Sequence, residues 1–121
     1  MTFPLTLRGT YILKMSDREL QRFSRENRPY KIERDSDGSL LVKESAGYLS
    51  GRINTEIVRQ LANWNVEHKL GEVADSNSGF TLPSGAVRSP DTAWTSNERI
   101  HALCKHDQTL FIKVCPDLSL N

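Results

Sequence analysis

The longest periodic pattern of apolar residues in the chain lies at residues 51–68. At about 100° per residue, the apolar side chains fall on one arc and the charged side chains on the other. The apolar set is Ile53, Ile57, Val58, Leu61 and Trp64. The pattern predicts an amphipathic helix, with Ser50 or Gly51 as its N-cap. Asn54 and Asn65 also fall on the apolar arc, so each amide needs a partner in the core or at a polar site.

A helix near the N-terminus is indicated by the residues at its two ends. Ser16 and Glu19 have the spacing of a capping box, in which each side chain bonds a free backbone amide of the first turn. Asn27 tolerates the conformation that ends a helix, and Pro29 cannot continue the hydrogen-bond ladder. We therefore expect a helix at residues 15–27.

A hairpin is predicted at residues 30–44, where Asp37-Gly38 forms a turn signal between two apolar runs. Acidic residues surround this turn, among them Glu33 and Asp35. They lack the twelve-residue ligand pattern of a calcium loop. We interpret them as solvated turn charges.

A second hairpin is predicted at residues 72–95, with Asp91 on its later strand. Pro90 cannot donate to a sheet ladder, so Ser89-Pro90-Asp91 suits the start or the edge of a strand. Two interpretations of Asp91 follow from these residues. It is either a turn carboxylate bonded to nearby amides or a carboxylate that a strand end offers to a metal ion.

Helices and strands together predict a single α/β (α+β) domain over residues 1–121, since a chain of 121 residues has room for one core. The chain carries 16 basic and 15 acidic side chains, a net charge of +1. No global field therefore draws it onto nucleic acid or an anionic membrane, and contact with nucleic acid requires a local basic patch.

Location and metal content are constrained by three further features. No apolar run approaches the roughly 20 residues that span a bilayer, and the N-terminal residues lack a signal-peptide core. We expect a cytoplasmic protein without membrane association. Cys104 and Cys115 are then free thiols. Together with His101 and His106 they lack the close ligand pairs of common zinc sites, so we predict no zinc centre there.

Several short motifs follow one another along most of the chain. They are Met15-Ser16-Asp17 with Asn27-Arg28, Ile32-Glu33-Arg34 with Gly38, Asn54-Thr55-Glu56-Ile57 with Trp64-Asn65, Lys69-Leu70-Gly71, Asp75-Ser76 with Gly79-Phe80-Thr81-Leu82-Pro83, Arg88-Ser89-Pro90-Asp91 with Trp94, and Cys115-Pro116-Asp117-Leu118. In this order and spacing, the motifs resemble the Uma-two-type restriction endonucleases of the PD-(D/E)XK nuclease superfamily.

The resemblance implies a restriction-endonuclease-like core, in which the helix at 51–68 precedes a mixed sheet. It also implies that Asp91 ligates a divalent metal ion, usually Mg²⁺. Asn54 and Glu56 are the further candidate catalytic residues, as supports on the first core helix. The implied reaction is hydrolysis of a DNA phosphodiester, in which the metal stabilises charge on the phosphate and lowers the pKa of the attacking water.

The sequence departs from the family pattern at its C-terminal end. In relatives, the Pro-Asp step opens a strand that carries a glutamate, and a helix with a lysine follows. Here three residues follow Pro116-Asp117-Leu118. We therefore expect the last strands and helix of the core to be missing. Glu98, Lys113 and Asp117 do not match the missing groups in position, so we expect little or no cleavage.

Two functions stay open. The chain is either a metal-dependent DNA endonuclease impaired by these losses, or a non-catalytic fragment that binds DNA or an intact relative. The expected losses would uncover a sheet edge and an apolar face, so homo-oligomerisation is a further expectation.

Overall fold

The computed structural model describes residues 4–44, 47–103 and 111–120. Four helices and eight strands occur in these ranges, and the strands form two sheets. The elements in chain order are β1 (Leu5–Leu7), α1 (Thr10–Leu13), α2 (Asp17–Glu26), β2 (Lys31–Arg34), β3 (Leu40–Lys43), α3 (Tyr48–His68), β4 (Gly71–Asp75), β5 (Phe80–Thr81), β6 (Val87–Arg88), β7 (Thr92–Ser96), α4 (Asn97–His101) and β8 (Leu118–Leu120). The α+β class predicted from the sequence is confirmed.

The first sheet has five strands in the order β1-β3-β2-β6-β5. Its buried core comprises Leu20 of α2 together with Ile32, Leu40 and Val87 of the strands. Helix α2 is held at its start by the predicted capping box, because Ser16 accepts from the Glu19 amide and the Glu19 side chain accepts from the Ser16 amide. The cap and the buried Leu20 together fix α2 against this sheet.

The second sheet has three strands in the order β4-β7-β8. Strand β7 pairs with β4 from Gly71↔Ser96 to Asp75↔Thr92, and β8 pairs along its other edge. Helix α3 packs on β4 and β7. Trp94 links the two layers, because its indole Nε1 donates to Oδ1 of Asn65 at 3.0 Å. Asn65 thus has the partner that its position on the apolar arc required.

Two predictions about the strands need correction. The stretch 72–95, predicted as one hairpin, divides between the two sheets: β4 and β7 pair in the second, while β5 and β6 pair in the first. The reason is burial, because Val87 of β6 packs into the core of the first sheet. The implied sheet was mixed, whereas the strand pairs among the described residues are antiparallel. A parallel contact occurs at the isolated bridge Phe80↔Ile112.

Helix α3 begins at Tyr48, three residues before the predicted start, and its N-cap is Gly47. It ends at His68, after which Lys69 adopts a left-handed φ of 55°. No residue of α3 is buried, and Ile53 on its apolar arc keeps 49% of its surface exposed. The amphipathic pattern is therefore real, but its apolar face is only partly covered by the second sheet.

The sequence predicted neither a membrane-spanning segment nor a zinc centre. Within residues 4–44, 47–103 and 111–120, no helix combines the length and hydropathy that crossing a membrane requires. Cys104 and His106 lie outside the described residues, whereas His101 and Cys115 are exposed. The absence of a zinc site stays a prediction.

Candidate active-site cleft

A cleft of about 1170 Å³ is lined by residues from α2, from both sheets and from the first half of α3. Its lining includes Asp91 and Asn54, two of the three candidate catalytic residues. The other charged groups lining it are Arg25, Arg28, Lys31, Lys43, Glu44, Glu72 and Asp75. The cleft therefore presents both basic and acidic groups to a ligand.

Asp91 lies directly before β7 and faces a lysine from a distant part of the chain. Lys31, the first residue of β2, places its Nζ 3.5 Å from Oδ1 of Asp91. The two side chains are 24% and 29% exposed, so both remain accessible from the cleft. Sixty positions separate them in sequence. The pair forms because the first sheet brings the start of β2 beside the segment that joins β6 to β7.

The backbone just before Asp91 is fixed by a buried carboxylate. Glu33 in β2 is only 3% exposed. Its Oε2 accepts from the Ser89 amide at 2.7 Å, and its Oε1 accepts from Nζ of Lys43 at 2.8 Å. Glu33 was interpreted as a solvated turn charge, and that interpretation is wrong. Ile32 and Glu33 point to opposite faces of β2 and both are buried, so both faces of the strand are covered at this position.

The protonation of Glu33 reflects opposing effects. Desolvation by burial would raise the pKa of its carboxyl. The hydrogen bonds from Lys43 and from the Ser89 amide outweigh it, and the charges of Lys43 and Lys31 act in the same direction, so the pKa is lowered. Glu33 is therefore ionised near neutral pH. The negative charge of Glu33 in turn stabilises the positive charges of the nearby Lys43 and Lys31.

The remaining turn acids have separate partners. Asp35 pairs with Arg88 across the sheet. Asp37 accepts from the backbone amide of Ser39 at 2.9 Å and from its hydroxyl at 2.6 Å. These contacts hold the β2–β3 turn and the start of β6 in place. They do not contribute carboxylates to the cleft.

The two candidates on α3 lie in different surroundings. Asn54 is half-buried and lines the cleft, and its amide has no hydrogen bond to another described residue. Glu56 is exposed outside the cleft lining and bonds Arg59 and Gln60 of its own helix. Hydrogen bonds from these two side chains lower the pKa of Glu56 to about 2. The structure thus brings Asn54 to the same cleft as Asp91 and leaves Glu56 on the outer surface.

The donor set around Asp91 does not by itself form a magnesium centre. No group of three or more His, Cys, Asp or Glu side chains among the described residues stands close enough to hold a metal ion. The group facing Asp91 is an ammonium, which repels a cation. Mg²⁺ prefers a shell of six oxygen ligands, so a single carboxylate leaves most positions to water or substrate phosphate.

The residues considered as substitutes for a second acid or a lysine also lie elsewhere. Asp117 accepts from the Ser96 amide at 2.8 Å and pairs with Arg99. The bond from the Ser96 backbone lowers the pKa of that carboxyl. Glu98 lies in the first turn of α4, and Lys113 is exposed outside the cleft lining. None of these side chains lines the cleft that contains Asp91.

Lys31 and Glu33 were not singled out as site residues from the sequence. One signal was available for Glu33, since a carboxylate between apolar residues in the middle of a strand requires a partner when the strand is central. No local signal identifies Lys31. Its relation to Asp91 depends on the order of strands in the sheet, which the sequence pattern does not specify.

The chain was compared with models of protein families, and a match covers the residues that form the cleft. The Uma2 family, described as putative restriction endonuclease, matches residues 17–120. The matched range includes both sheets from β2 onward and the cleft with Asp91. No curated protein matched the chain.

Proposed function

Because the chain belongs to the Uma2 family of putative restriction endonucleases, we propose that it binds DNA in the cleft lined by Asp91. Family membership supports a nuclease-like function in general. The more specific proposal is that the cleft belongs to a Mg²⁺-dependent DNA endonuclease site, to which this chain contributes Asp91 as metal ligand. Asn54 faces the same cleft, and Glu56 supports α3 through its bonds to Arg59 and Gln60.

The observation that supports phosphate binding is the position of Lys31 beside Asp91 at the cleft, and Asp91 would have to leave this ion pair in order to ligate Mg²⁺. A lysine ammonium is one of the groups that phosphoryl-transfer sites use to stabilise negative charge on a phosphate. The four basic side chains in the cleft lining, Arg25, Arg28, Lys31 and Lys43, are the groups that could contact an anionic substrate. A cytoplasmic location belongs to the same proposal.

From the same geometry we expect that any cleavage of DNA is weak. Preorganised charge around the reacting phosphate supplies the largest part of the rate in such reactions. Among the described residues, no group of three or more His, Cys, Asp or Glu side chains surrounds Asp91 to hold a metal ion. We therefore expect weak Mg²⁺ affinity and nicking activity close to background.

A plasmid-nicking assay combined with a DNA-binding measurement tests the proposal. Supercoiled plasmid is incubated with wild-type protein in Mg²⁺ or Mn²⁺, and binding of a short labelled duplex is followed by fluorescence anisotropy. We expect binding of DNA with little or no nicking in either metal. The matched variants are Asp91→Asn and Asp75→Asn, because Asp75 is another carboxylate that lines the cleft.

The variants separate the parts of the proposal. Asp91→Asn removes an anion from the binding cleft, so it should leave DNA affinity unchanged or increase it. Strong metal-dependent nicking that Asp91→Asn abolishes and Asp75→Asn retains would show that the site is complete and that the expectation of impairment is wrong. Absence of DNA binding by the wild-type protein would refute the proposal itself.

The partly covered face of α3 favours a second function, association with an intact relative. Tyr48, Leu49 and Ile53 lie in the first turns of this helix and are 86%, 58% and 49% exposed. A full-length relative that binds through this face would co-elute with the chain in size-exclusion chromatography. Separate elution at all mixing ratios would exclude the association.

A further inference from the structure

Helix α2 carries a row of arginines along its outer surface. Arg18, Arg22 and Arg25 follow one another at i, i+4 and i+7, so they lie within about 60° of one another around the helix axis. Their side chains are exposed, opposite the buried Leu20. Arg28 follows just beyond the helix end. We call these four residues the arginine stripe.

The arginine stripe leads to the cleft. Arg25 and Arg28 belong to the cleft lining, as does Lys31. Arg18 and Arg22 lie outside it and continue the row along α2. A chain of positive charge therefore runs from the outer surface of the molecule to the edge of the cleft that contains Asp91.

The guanidinium groups of the stripe are available for a ligand. None of them has a hydrogen bond or an ion pair with another described residue, in contrast to Arg34, Arg59 and Arg88, which pair with carboxylates. The carboxylate of Glu19 acts on Arg22 only through its charge at longer range. Glu26 lies four positions after Arg22 on the same side of α2, and it forms no ion pair with this arginine.

The spacing fits a polyanion. The three helical arginines span about 10 Å at 1.5 Å rise per residue. The phosphates of one DNA strand are separated by about 3.4 Å along the duplex axis and by a larger distance along the winding strand, so the stripe can reach roughly two or three of them. Arginine also offers a fork of donors that matches phosphate oxygens. With a net charge of +1, the protein needs such a local patch in order to bind DNA.

We propose that Arg18, Arg22, Arg25 and Arg28 bind the phosphate backbone of duplex DNA and direct it into the cleft. This inference rests on the proposed function, because it names the surface through which the cleft receives its substrate. The arginines bind the backbone and do not take part in chemistry at the phosphate. They contribute affinity without sequence preference.

The test compares two triple variants that lose the same charge. The stripe variant is Arg22→Gln, Arg25→Gln and Arg28→Gln. The control variant is Arg8→Gln, Arg52→Gln and Lys113→Gln, three exposed cations outside the cleft lining. Binding of a labelled DNA duplex is measured by anisotropy over a series of salt concentrations, and circular dichroism verifies that each variant is folded.

We expect the stripe variant to lose affinity at low salt by about tenfold or more. The slope of log K against log salt should fall by about 2 to 3, since each lost phosphate contact removes about 0.9 from it. The control variant should keep the wild-type slope. A third variant, with lysine at the same three positions, keeps the charge and should restore the slope even if glutamine lowers the stability of α2.

Each result decides between alternatives. Equal losses in the stripe and control variants would attribute binding to net charge and overturn the proposal. Wild-type binding that the stripe variant retains in full would also overturn it, while leaving the proposed function intact. A wild-type protein that fails to bind DNA would refute both. Tighter binding to an RNA duplex of the same sequence would overturn the assignment to DNA.

Discussion

At the scale of single residues, the surroundings of Asp91 depend on two groups in β2. Glu33 is buried and accepts the Ser89 amide, so it fixes the backbone two positions before Asp91. Lys31 faces the Asp91 carboxylate itself. One strand therefore supplies both the support and the charge partner of the candidate site. Removing one partner of a buried carboxylate strongly destabilises the fold, because the charge that remains is buried without compensation.

Replacing Glu33 by glutamine should destabilise the fold. The amide can still accept from Ser89, but the buried end of the Lys43 contact loses its charge. We expect a loss of about 1–3 kcal/mol in the free energy of unfolding, measured by urea denaturation. Glu26→Gln, at an exposed position of α2, is the matched control and should change stability very little. Equal effects of the two substitutions would contradict the role assigned to Glu33.

The pH dependence of stability gives a second measurement on Glu33. Its pKa is lowered in the folded state from the ordinary value of 4.5, so its contribution to stability is fully present above about pH 4.5. That contribution is lost as the pH falls through the lowered, folded-state pKa. The wild-type protein should therefore lose more stability than Glu33→Gln between neutral and acid pH. Parallel profiles for the two proteins would show that Glu33 is not the group responsible.

At the scale of elements, the second sheet depends on close packing at the start of β4. Gly71 pairs with Ser96, and a Cβ at this position would collide with the Thr95 carbonyl oxygen. The same atom would lie 2.7 Å from Cε2 of Trp94. Gly71 is therefore required by the approach of β7 and its tryptophan. Trp94 also contacts Trp64 of α3 at a ring distance of 5.6 Å, so displacement of β4 would extend to that helix.

Substitution of two glycines by alanine should have opposite effects. Gly71→Ala introduces the collision with β7, and we expect it to destabilise the protein by about 1–3 kcal/mol. Gly51→Ala lies within α3, where the new Cβ meets no atom within 4 Å. It should stabilise the protein by up to about 1 kcal/mol through helix propensity. Thermal unfolding followed by circular dichroism measures both, and a stable Gly71→Ala variant would contradict the packing described for β4.

At the scale of the whole molecule, buried and exposed apolar residues are unevenly distributed between the first sheet and α3. The first sheet encloses a core between its strands and α2, whereas α3 has no buried residue. Tyr48, Leu49 and Ile53 leave exposed apolar surface in the first turns of α3, with Leu49 and Ile53 one turn apart on the same side. Exposed patches of this kind mark sites of association or of aggregation.

Self-association through α3 should therefore depend on concentration. We expect the average mass in sedimentation velocity to rise with protein concentration. Leu49→Lys with Ile53→Lys should lower the association constant by at least about tenfold, since burial of two such side chains contributes about 3 kcal/mol or more. Tyr11→Lys is the control, because Tyr11 is 91% exposed on α1. A protein that remains monomeric at all concentrations would show that this face is not a site of self-association.

The sequence determined the features that depend on local chemistry. The capping box specified the start of α2, and the apolar period specified α3 to within three residues at its start. The α+β class followed from the predicted helices and strands, and the family resemblance followed from motifs in a fixed order. These predictions succeed because capping, helix periodicity and turn residues act between neighbours of three or four positions.

Tertiary structure alone decided which distant groups meet. It divided residues 72–95 between two sheets, buried Glu33 against Ser89, and placed Lys31 beside Asp91. It also left Glu56 outside the cleft and brought Arg25 and Arg28 to its edge. Strand order and the burial of each face depend on the sum of long-range packing. No short stretch of residues encodes that sum, so the carboxylate at 91 was visible in the sequence while its partners were not.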